Sequence, residues 1–465
     1  GAGLLAYDRG GAANAVLPLG ADTLGPLAVA DFDADGDLDL FVGGGPVGGR
    51  YPEPSPSRLY ERIGTEWRPA AEPDPALLAP GLVSGAVWTD LDADGFPELV
   101  LACEWGPVRI FANTRGKLRE ATAEWGTAAR TGWWTGVASA DFDGDGRLDL
   151  AVGNWGLNSR YRPTPEHPIR LYYGDLAGQG QVELIEASHV PELGGWAPER
   201  DLDLMSRQLP WLRALFPTHA AYARSTVEAC LADRAASPRV LNATTLASVV
   251  LLNRGHAFEL VPLPDEAQYA PVFGINAADF DLDGHVDLFL AQNFFPVSTA
   301  VSGQDAGLGL LLLGDGRGRF RPQSAERSGI RIFGEQRGSA VADFDGDGRP
   351  DLAVAQNGAE TRLLRNRAPN EGLAIRVRMD GPNPDGIGVV VRPIDPARPA
   401  AAGPAQELRA GSGYRSQDSP TLYLPRPRGP LAVEVRRPGG ATHRIDIPDA
   451  ATSAQTILRL PAARP

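Results

Sequence analysis

Cysteine and histidine are scarce in this chain of 465 residues, and familiar catalytic motifs are missing. The two cysteines, Cys103 and Cys230, could pair or stay free, but neither belongs to a CxxC pair, so a zinc site has little support. The six histidines lack metal-ligand spacing, and there is no Walker loop or GxSxG elbow. We therefore predict no catalytic residues, although the 58 acidic residues leave a carboxylate pair for glycoside chemistry open.

Positive charge and long apolar runs are also missing. The chain has 44 Lys and Arg against 58 Asp and Glu, which gives a net charge of −14. Nucleic-acid binding needs a basic surface, so we expect no such partner. No apolar run approaches the roughly 18 residues of a membrane span. The first residues, GAGLLAYDRGG, lack the features of a signal peptide, so we expect a mature chain or a trimmed precursor.

Glycine and proline are abundant instead, with 55 and 41 copies and no collagen-like period, which indicates many tight turns. An acidic nine-residue pattern, first seen as DFDADGDLD, occurs five times. Its positions 1, 3, 5 and 9 are Asp31, Asp33, Asp35 and Asp39; Asp90, Asp92, Asp94 and Glu98; Asp141, Asp143, Asp145 and Asp149; Asp279, Asp281, Asp283 and Asp287; and Asp343, Asp345, Asp347 and Asp351. Position 6 is always glycine, and position 7 is Asp37, Phe96, Arg147, His285 or Arg349.

Oxygen ligands at alternate positions around a glycine turn suit Ca²⁺. Because the residue type at position 7 varies, we expect its backbone carbonyl to be the ligand there. We predict about five Ca²⁺ sites at these loops; acidic turns without an ion are the alternative, which five copies disfavour. A sixth stretch keeps the spacing only at Asp175, Gly180 and Glu183, so we expect a weak or empty site there.

The loops differ from an EF-hand, which needs a bidentate Glu at position 12 and flanking helices. Position 12 is apolar in all five copies, and the flanking segments, such as PLAVADF and LDLFVGG, alternate like short strands. We predict that each loop joins two strands. The leucine at position 10 should face a core in each copy: Leu40, Leu99, Leu150, Leu288 and Leu352.

Apolar strands followed by Gly-, Asn- or Asp-rich turns recur between the acidic loops. They lie near Leu59, Ile110, Leu171, Leu251, Leu312 and Leu363, and GLLAYDRGGA at the N-terminus is a seventh. An acidic inner hairpin plus such an outer hairpin makes a four-stranded blade of about 50 residues. We predict an all-β fold, a seven-bladed β-propeller, with six blades as the alternative.

Over residues 1–368 the repeats resemble the FG-GAP or VCBS repeats of integrin-α-like propellers. Phe273-Gly274 and Phe333-Gly334 stand where that family has its Phe-Gly. The resemblance implies a propeller domain with calcium loops on one face, where they mainly stabilise the fold.

Residues 198–236 interrupt the repeats with helical spacing. Pro210 should break this helical segment, and Ser225 with Glu228 forms a capping-box pattern. We predict a helical insertion in a propeller loop, either a lid over apolar surface or one wall of a binding site.

Tryptophan is concentrated in the second and third blades, at Trp88, Trp105, Trp125, Trp133, Trp134 and Trp155. With Arg130 and Asn154, these rings could stack on a sugar and bind its hydroxyls. Packing between blades is the alternative.

After residue 368 the acidic loops stop, and alternating strands with Pro and Gly turns predict a small β domain over residues 369–465. This segment resembles the ASPIC/UnbV domain of cartilage-acidic-protein-like chains. The matching residues are Gly386-Ile387-Gly388, Gly411-Ser412-Gly413-Tyr414, Ser416, Gln417, Val435 and Pro438-Gly439-Gly440. Arg437 replaces the usual tryptophan of that family, and LPRPRGP replaces its Phe-Gly-Leu segment.

Two function classes follow. The first is a secreted or surface calcium-binding propeller that acts as a non-catalytic binding or adhesion module for a protein or glycan. The second is a polysaccharide lyase or glycoside hydrolase built on a calcium-stabilised propeller. Calcium sites of extracellular modules have dissociation constants of about 10⁻⁴ to 10⁻³ M, so we expect an extracellular, cell-surface or periplasmic location. The sequence leaves the oligomeric state open.

Overall fold

The computed structural model describes residues 2–7, 13–20, 23–232, 238–297, 301–394, 402–411, 413–429, 431–447 and 452–460. Over these residues the fold is all-β, as predicted, and its longest helix, Leu202–Gln208, has seven residues. Within the same ranges, no helix has the length and apolar character needed to cross a membrane.

Five small antiparallel sheets each contain one acidic loop, which joins the first two strands of its sheet. Sheet 1 consists of Leu24–Ala30, Asp39–Gly44, Arg58–Ile63 and Glu66–Pro69. Sheet 2 consists of Leu82–Thr89, Glu98–Pro107, Arg109–Thr114 and Lys117–Glu120, with Thr131–Trp133 paired to Glu98–Pro107. Sheet 3 consists of Gly136–Ala140, Asp149–Gly153, Val249–Asn253 and Phe258–Pro262. Sheet 4 consists of Val272–Ala278, Asp287–Gln292, Leu310–Gly314 and Phe320–Pro322. Sheet 5 consists of Glu335–Ala342, Asp351–Asn357 and Ala359–Leu364.

The five sheets pack face to face in chain order, with a hydrophobic core between each neighbouring pair. Successive side chains of a strand point to opposite faces, so the apolar second strands supply both neighbouring cores. In sheet 2, for example, Leu99 packs toward sheet 1 and Val100 packs toward sheet 3. All five position-10 leucines are buried, which confirms that prediction.

The first and last sheets do not cover each other in the described structure. The hairpin of Ala2–Tyr7 and Ala13–Gly20 packs on the free face of sheet 1 through Leu4 and Leu17. The free face of sheet 5 leaves Leu363 69% exposed. The described residues therefore form a succession of five sheets, and a closed ring of seven blades stays a prediction.

An insertion, residues 154–248, separates the second and third strands of sheet 3. It contains a sheet of Ile169–Gly174, Glu183–Val190, Gly195–Pro198 and Arg239–Ala243, and short helices at Pro191–Leu193, Leu202–Gln208, Leu212–Leu215, His219–Tyr222 and Val227–Leu231. The strand near Leu171 therefore belongs to this inserted sheet. Our prediction that it forms part of the outer hairpin of a blade is wrong. The outer hairpin of sheet 3 is the one near Leu251.

The helical segment predicted at 198–236 lies within this insertion, and its residues 233–236 fall outside the described structure. The helices break around Pro210, as predicted. The capping residue is one position later than predicted: the Thr226 hydroxyl accepts from Ala229 N, while Ser225 Oγ donates to Tyr222 O. The remaining helices, Pro75–Leu78, Asp265–Gln268 and Ala325–Ser328, are single turns between strands.

The C-terminal region folds into two sheets around a core of its own. One sheet consists of Gly372–Met379, Leu422–Pro425 and Gln455–Leu460; the other consists of Val390–Ile394, Gln406–Glu407, Leu431–Arg436 and Thr442–Ile447. The first sheet contains a parallel pair, Gly372–Met379 with Gln455–Leu460. Ser412, part of the ASPIC/UnbV-like motif, lies outside the described residues.

A segment of this C-terminal region, residues 405–411 and 413–421, runs between the first strands of the five sheets, and we call it the central finger. It contacts every sheet, through Val29, Asp90, Ser139, Asn276 and Val341 in chain order. Asp418 Oδ1, for example, accepts hydrogen bonds from Val341 N and from Asn276 Nδ2, both at 2.8 Å. The finger therefore joins the C-terminal region to all five sheets.

Candidate metal centres and an aromatic cavity

The acidic loops share one hydrogen-bonding framework, which explains the invariant glycine. In the Asp279 loop, Gly284 N donates to the position-1 carboxylate at 2.9 Å. The same bond occurs at Asp90, Asp141 and Asp343. The position-6 glycines have φ between 85° and 99°, a left-handed conformation that favours glycine. This conformation explains why all five copies have a glycine at position 6.

The position-9 carboxylate ties each loop to its sheet. Asp149 Oδ2 accepts from Phe142 N at 2.9 Å, and its Oδ1 accepts from Asn253 N on the third strand at 2.7 Å. Asp287 makes the equivalent pair of bonds to Phe280 N and Gly314 N. Position 9 therefore orders the loop whether or not it also binds an ion.

Carboxylate oxygens converge in all five loops to within 4.8 Å of one another. The converging sets are Asp31, Asp33 and Asp39; Asp90, Asp92 and Asp94; Asp141, Asp143 and Asp149; Asp279, Asp281 and Asp287; and Asp343, Asp345 and Asp347. The other predicted carboxylate ligands, Asp35, Glu98, Asp145, Asp283 and Asp351, lie outside these sets. They stay predictions, as do the position-7 carbonyls of Asp37, Phe96, Arg147, His285 and Arg349.

Burial makes negative charge costly in these clusters. It raises the pKa of Asp31 to about 7 and the pKa of Asp39 to about 8, and neighbouring aspartates add to both shifts. Burial likewise raises the pKa of Asp287 to about 8. Some oxygens, including Asp31 Oδ1 and Asp281 Oδ1, are buried without a hydrogen-bond donor. Such oxygens are expensive to bury, and a hard divalent cation such as Ca²⁺ would satisfy them, so the donor set fits.

Arginines distinguish the loops from one another. Arg436 Nε lies 2.9 Å from Asp90 Oδ2, and Arg254 Nη1 lies 2.5 Å from Asp143 Oδ2. Arg365 pairs with Asp345 in the fifth loop. Among the ion pairs of the described residues, none involves a carboxylate of the Asp31 or Asp279 loop. A guanidinium within ion-pair distance offsets part of the charge in three loops, whereas Arg62 and Arg321 act on the other two only from longer range, so the five sites are unequal.

The sixth acidic stretch lies in the inserted sheet and keeps the framework with fewer carboxylates. Asp175 Oδ2 accepts from Gly180 N at 3.0 Å, and Glu183 Oε2 accepts from Leu176 N at 2.8 Å. It is not among the acidic clusters found in the described part of the chain. Our expectation of a weak or empty site there stays a prediction.

The C-terminal region covers the acidic loops, which sequence reasoning missed. Gly439 N donates to Gly95 O at 2.9 Å in the second loop. Ala405 N donates to Asp141 Oδ2 in the third loop, and Gln455 Nε2 donates to Asp343 Oδ2 in the fifth, both at 2.9 Å. These bonds join residues far apart in sequence, so no local pattern could have revealed them.

The predicted tryptophans divide into two groups. Trp88, Trp125 and Trp134 pack in the cores between sheets, as the packing alternative held. Trp105, Trp133 and Trp155 form one aromatic group, in which the rings of Trp133 and Trp155 stack with centroids 4.2 Å apart. Asn154 is buried and positions this group, because its Oδ1 accepts from Trp133 N and Trp155 N. Arg130 is exposed.

Trp133 and Trp155 line a cavity of about 380 Å³. Glu104, Phe273 and Arg337 also line it, and each lies at the end of its sheet opposite the acidic loop. The insertion contributes Tyr161, Glu186 and Arg200, and the central finger contributes Tyr414. The insertion therefore lines one side of a cavity, and its predicted role as a lid or as a wall of a binding site stays a prediction.

Comparison with known families identifies the repeats. The model of the FG-GAP-like repeat matches residues 90–152, and the model of the FG-GAP repeat matches residues 337–361. These segments contain the acidic loops that begin at Asp90, Asp141 and Asp343. No curated protein matches the chain.

One similar solved structure is the biofilm matrix protein Bap1 of V. cholerae, at 10% identity, with 92% of this chain and 73% of that chain covered and a TM-score of 0.25. At that TM-score the similarity supports no conclusion about this chain. The two matches, with the shared loop framework, support FG-GAP-type repeats within residues 90–152 and 337–361.

Proposed function

We propose that this chain is a secreted or surface-exposed binding module whose five sheets are propeller blades stabilised by Ca²⁺. The observation that carries the proposal is the convergence of three carboxylates in each of five loops. Buried oxygens without donors and raised pKa values favour a bound cation at these loops. The ion would neutralise the cluster and fix the connection between the first two strands of each sheet.

Extracellular function follows from the expected affinity. Oxygen-ligand sites of extracellular modules bind Ca²⁺ with dissociation constants of about 10⁻⁴ to 10⁻³ M, so they would be empty at cytosolic calcium levels. FG-GAP repeats without an assigned catalytic residue suit adhesion to a protein or glycan. A cytosolic location found by fractionation of the producing cells would contradict this part of the proposal.

A metal count and paired unfolding curves test the calcium sites. We expect about five ions per chain and a lower unfolding midpoint in EDTA than in saturating Ca²⁺. Each site held at 100-fold over its dissociation constant contributes about 2.7 kcal/mol to the free energy of unfolding. If the protein binds no Ca²⁺ and EDTA leaves the midpoint unchanged, the proposal is wrong.

A polysaccharide lyase or glycoside hydrolase is the second candidate. It is favoured by one observation: Glu104 and Glu186 line the same cavity, and each accepts a hydrogen bond from a tyrosine hydroxyl at 3.1 Å. A pair of carboxylic groups is the catalytic set of most glycoside hydrolases. Incubation with uronic-acid and neutral glycans, followed by mass spectrometry, tests this candidate. New products that Glu104→Gln abolishes would support an enzyme. Glycans that stay intact would contradict the enzyme and favour the binding module.

A further inference from the structure

We propose that the aromatic cavity binds a saccharide unit of an uncharged glycan, with Tyr414 of the central finger as part of its lining. This inference rests on the proposed binding function and assigns to it a site and a ligand class. The volume of the aromatic cavity, about 380 Å³, lies within the range of about 300 to 1,000 Å³ that small-molecule sites occupy.

Aromatic rings form a continuous apolar surface in the cavity. The stacked pair of Trp133 and Trp155 is extended by Phe294, whose ring meets Trp155 edge-on at 5.1 Å. The Phe273 ring stacks beside that of Phe294, and the centroid of the Tyr414 ring lies 5.3 Å from the centroid of Phe273. Flat aromatic faces pack against the apolar C–H face of a pyranose ring while its hydroxyls point to the rim. The surface therefore suits a sugar.

Hydrogen-bonding groups at the rim are held in place by the protein. Tyr51 Oη donates to Glu104 Oε2, and Tyr161 Oη donates to Glu186 Oε2. Trp105 Nε1 in turn donates to Tyr51 Oη at 2.7 Å, which fixes the hydroxyl. Carboxylates are strong acceptors for the hydroxyl donors that a sugar carries in number. Glu104 and Glu186 therefore supply oriented acceptors beside an apolar surface.

The charges of the cavity favour an uncharged ligand over an acidic one. Its three arginines are all paired with glutamates: Arg160 with Glu199, Arg200 with Glu186, and Arg337 with Glu335. Among the described residues that line the cavity, every arginine thus has a carboxylate partner, so the lining offers no unpaired guanidinium to a uronic acid.

A cationic ligand is disfavoured as well. The Arg337 guanidinium already lies 3.9 Å from the centroid of the Phe273 ring, in the position that a bound ammonium group would take over that ring.

Binding of defined oligosaccharides tests the proposal. The full chain in saturating Ca²⁺ would be titrated with cellohexaose, mannohexaose and xylohexaose, and with hexagalacturonate as the acidic probe, by calorimetry and tryptophan fluorescence. We expect saturable binding of at least one uncharged probe. Failure of all three to bind, or binding of hexagalacturonate alone, would overturn the proposal.

Matched variants locate the site. Phe294→Ala and Glu186→Gln should each weaken binding about tenfold or more, because each removes a contact in the cavity. The controls are Phe295→Ala, which changes an exposed neighbouring ring, and Glu192→Gln, which changes an exposed carboxylate of the insertion. Binding that survives both cavity variants would overturn the assignment.

Glu186→Gln and Tyr161→Phe preserve shape, and a Ca²⁺-dependent unfolding midpoint would show that both variants are folded. If the oligosaccharides do not bind to protein that Ca²⁺ still stabilises, this inference fails and the proposed calcium-stabilised module stands. Protein that Ca²⁺ does not stabilise would contradict the proposed function whatever the sugar result. Cleavage of a bound probe would support the saccharide site and the enzyme candidate together.

Discussion

The two ends of the same five sheets contrast sharply. At one end every sheet carries the same acidic loop with the same glycine, and the converging carboxylates recur with little variation. At the other end each sheet contributes a different residue to the cavity, such as Glu104, Thr135, Phe273 or Arg337. Repetition at one end suits a task that every sheet shares, which is stability. Variety at the other end suits recognition of an asymmetric ligand.

The largest expected effect tests whether the central finger holds the two ends together. Glu407 is buried between the sheets, the Arg409 side chain beside it is 12% exposed, and Arg409 Nη1 donates to Ser139 Oγ at 2.8 Å. Arg409→Met leaves the Glu407 carboxylate buried without its cation, which should cost about 3–5 kcal/mol of unfolding free energy. Chemical denaturation in Ca²⁺ measures this loss. Arg415→Met, at an exposed position of the finger, is the control and should have little effect; equal losses would contradict the role of the buried pair.

The next effect compares two loops within the acidic end. Asp281→Asn weakens a cluster in which no described arginine forms an ion pair, although Arg321 acts on it from longer range, so it should remove most of the stabilisation of one site, about 2–3 kcal/mol in saturating Ca²⁺. Asp92→Asn should remove less, because Arg436 already offsets charge in that loop. The measured quantity is the difference in unfolding free energy between Ca²⁺ and EDTA. A larger loss for Asp92→Asn would reverse the proposed order of sites.

A smaller effect concerns pH in metal-free protein. Burial raises the pKa of Asp39, Asp149 and Asp287 to about 8, far above the ordinary value of 3.8. Between those values the folded state binds more protons than the unfolded chain, so stability should fall as pH rises from about 4 to 8. In EDTA the midpoint should therefore be several degrees lower at pH 8 than at pH 5.

Saturating Ca²⁺ is the control for this pH dependence. Because Ca²⁺ binds deprotonated carboxylates, it should flatten or reverse the trend. A metal-free midpoint that rises with pH over this range would contradict the burial argument.

The smallest effect belongs to the aromatic end. Glu186→Gln keeps the shape of the cavity wall, and Arg200 is partly exposed beside it. We expect its unfolding free energy in Ca²⁺ to fall by no more than about 1 kcal/mol, because the glutamine amide oxygen still accepts from Tyr161 Oη and only the pairing with Arg200 is lost. A large loss of stability, measured by the same denaturation curves, would mean that the two ends do not divide their tasks as proposed.

Features that depend on nine consecutive residues were predictable from the sequence. The carboxylate spacing and the position-6 glycine are local, because a turn around an ion uses consecutive residues. The same reasoning missed position 4, where Ala34 and Leu282 also adopt left-handed conformations. Neither residue type indicates such a conformation. The strand near Leu171 misled because inserted strands and blade strands alternate in the same way, and only pairing partners distinguish them.

Features that depend on distant residues could not be predicted. Glu407, Arg409 and Asp418 look like ordinary charges of a C-terminal loop, yet they reach the first strands of four sheets. For the tryptophans the sequence left two alternatives open, stacking on a sugar or packing between blades, and neither names Trp155 as the partner of Trp133. Glu186 lines the same cavity as Trp133 and Trp155 only because the insertion folds across the end of the sheets, which no local pattern indicates.

The central finger also has a consequence for the order of folding. The bonds of Glu407 to Asp90 and of Arg409 to Ser139 span 317 and 270 residues. Contacts of such high contact order form slowly, since a long loop must close before they stabilise anything. During synthesis the sheets emerge before the residues that will lie between them. A later-made segment therefore completes sheets that were made before it, and protein truncated before residue 405 should accumulate as an open intermediate prone to aggregation.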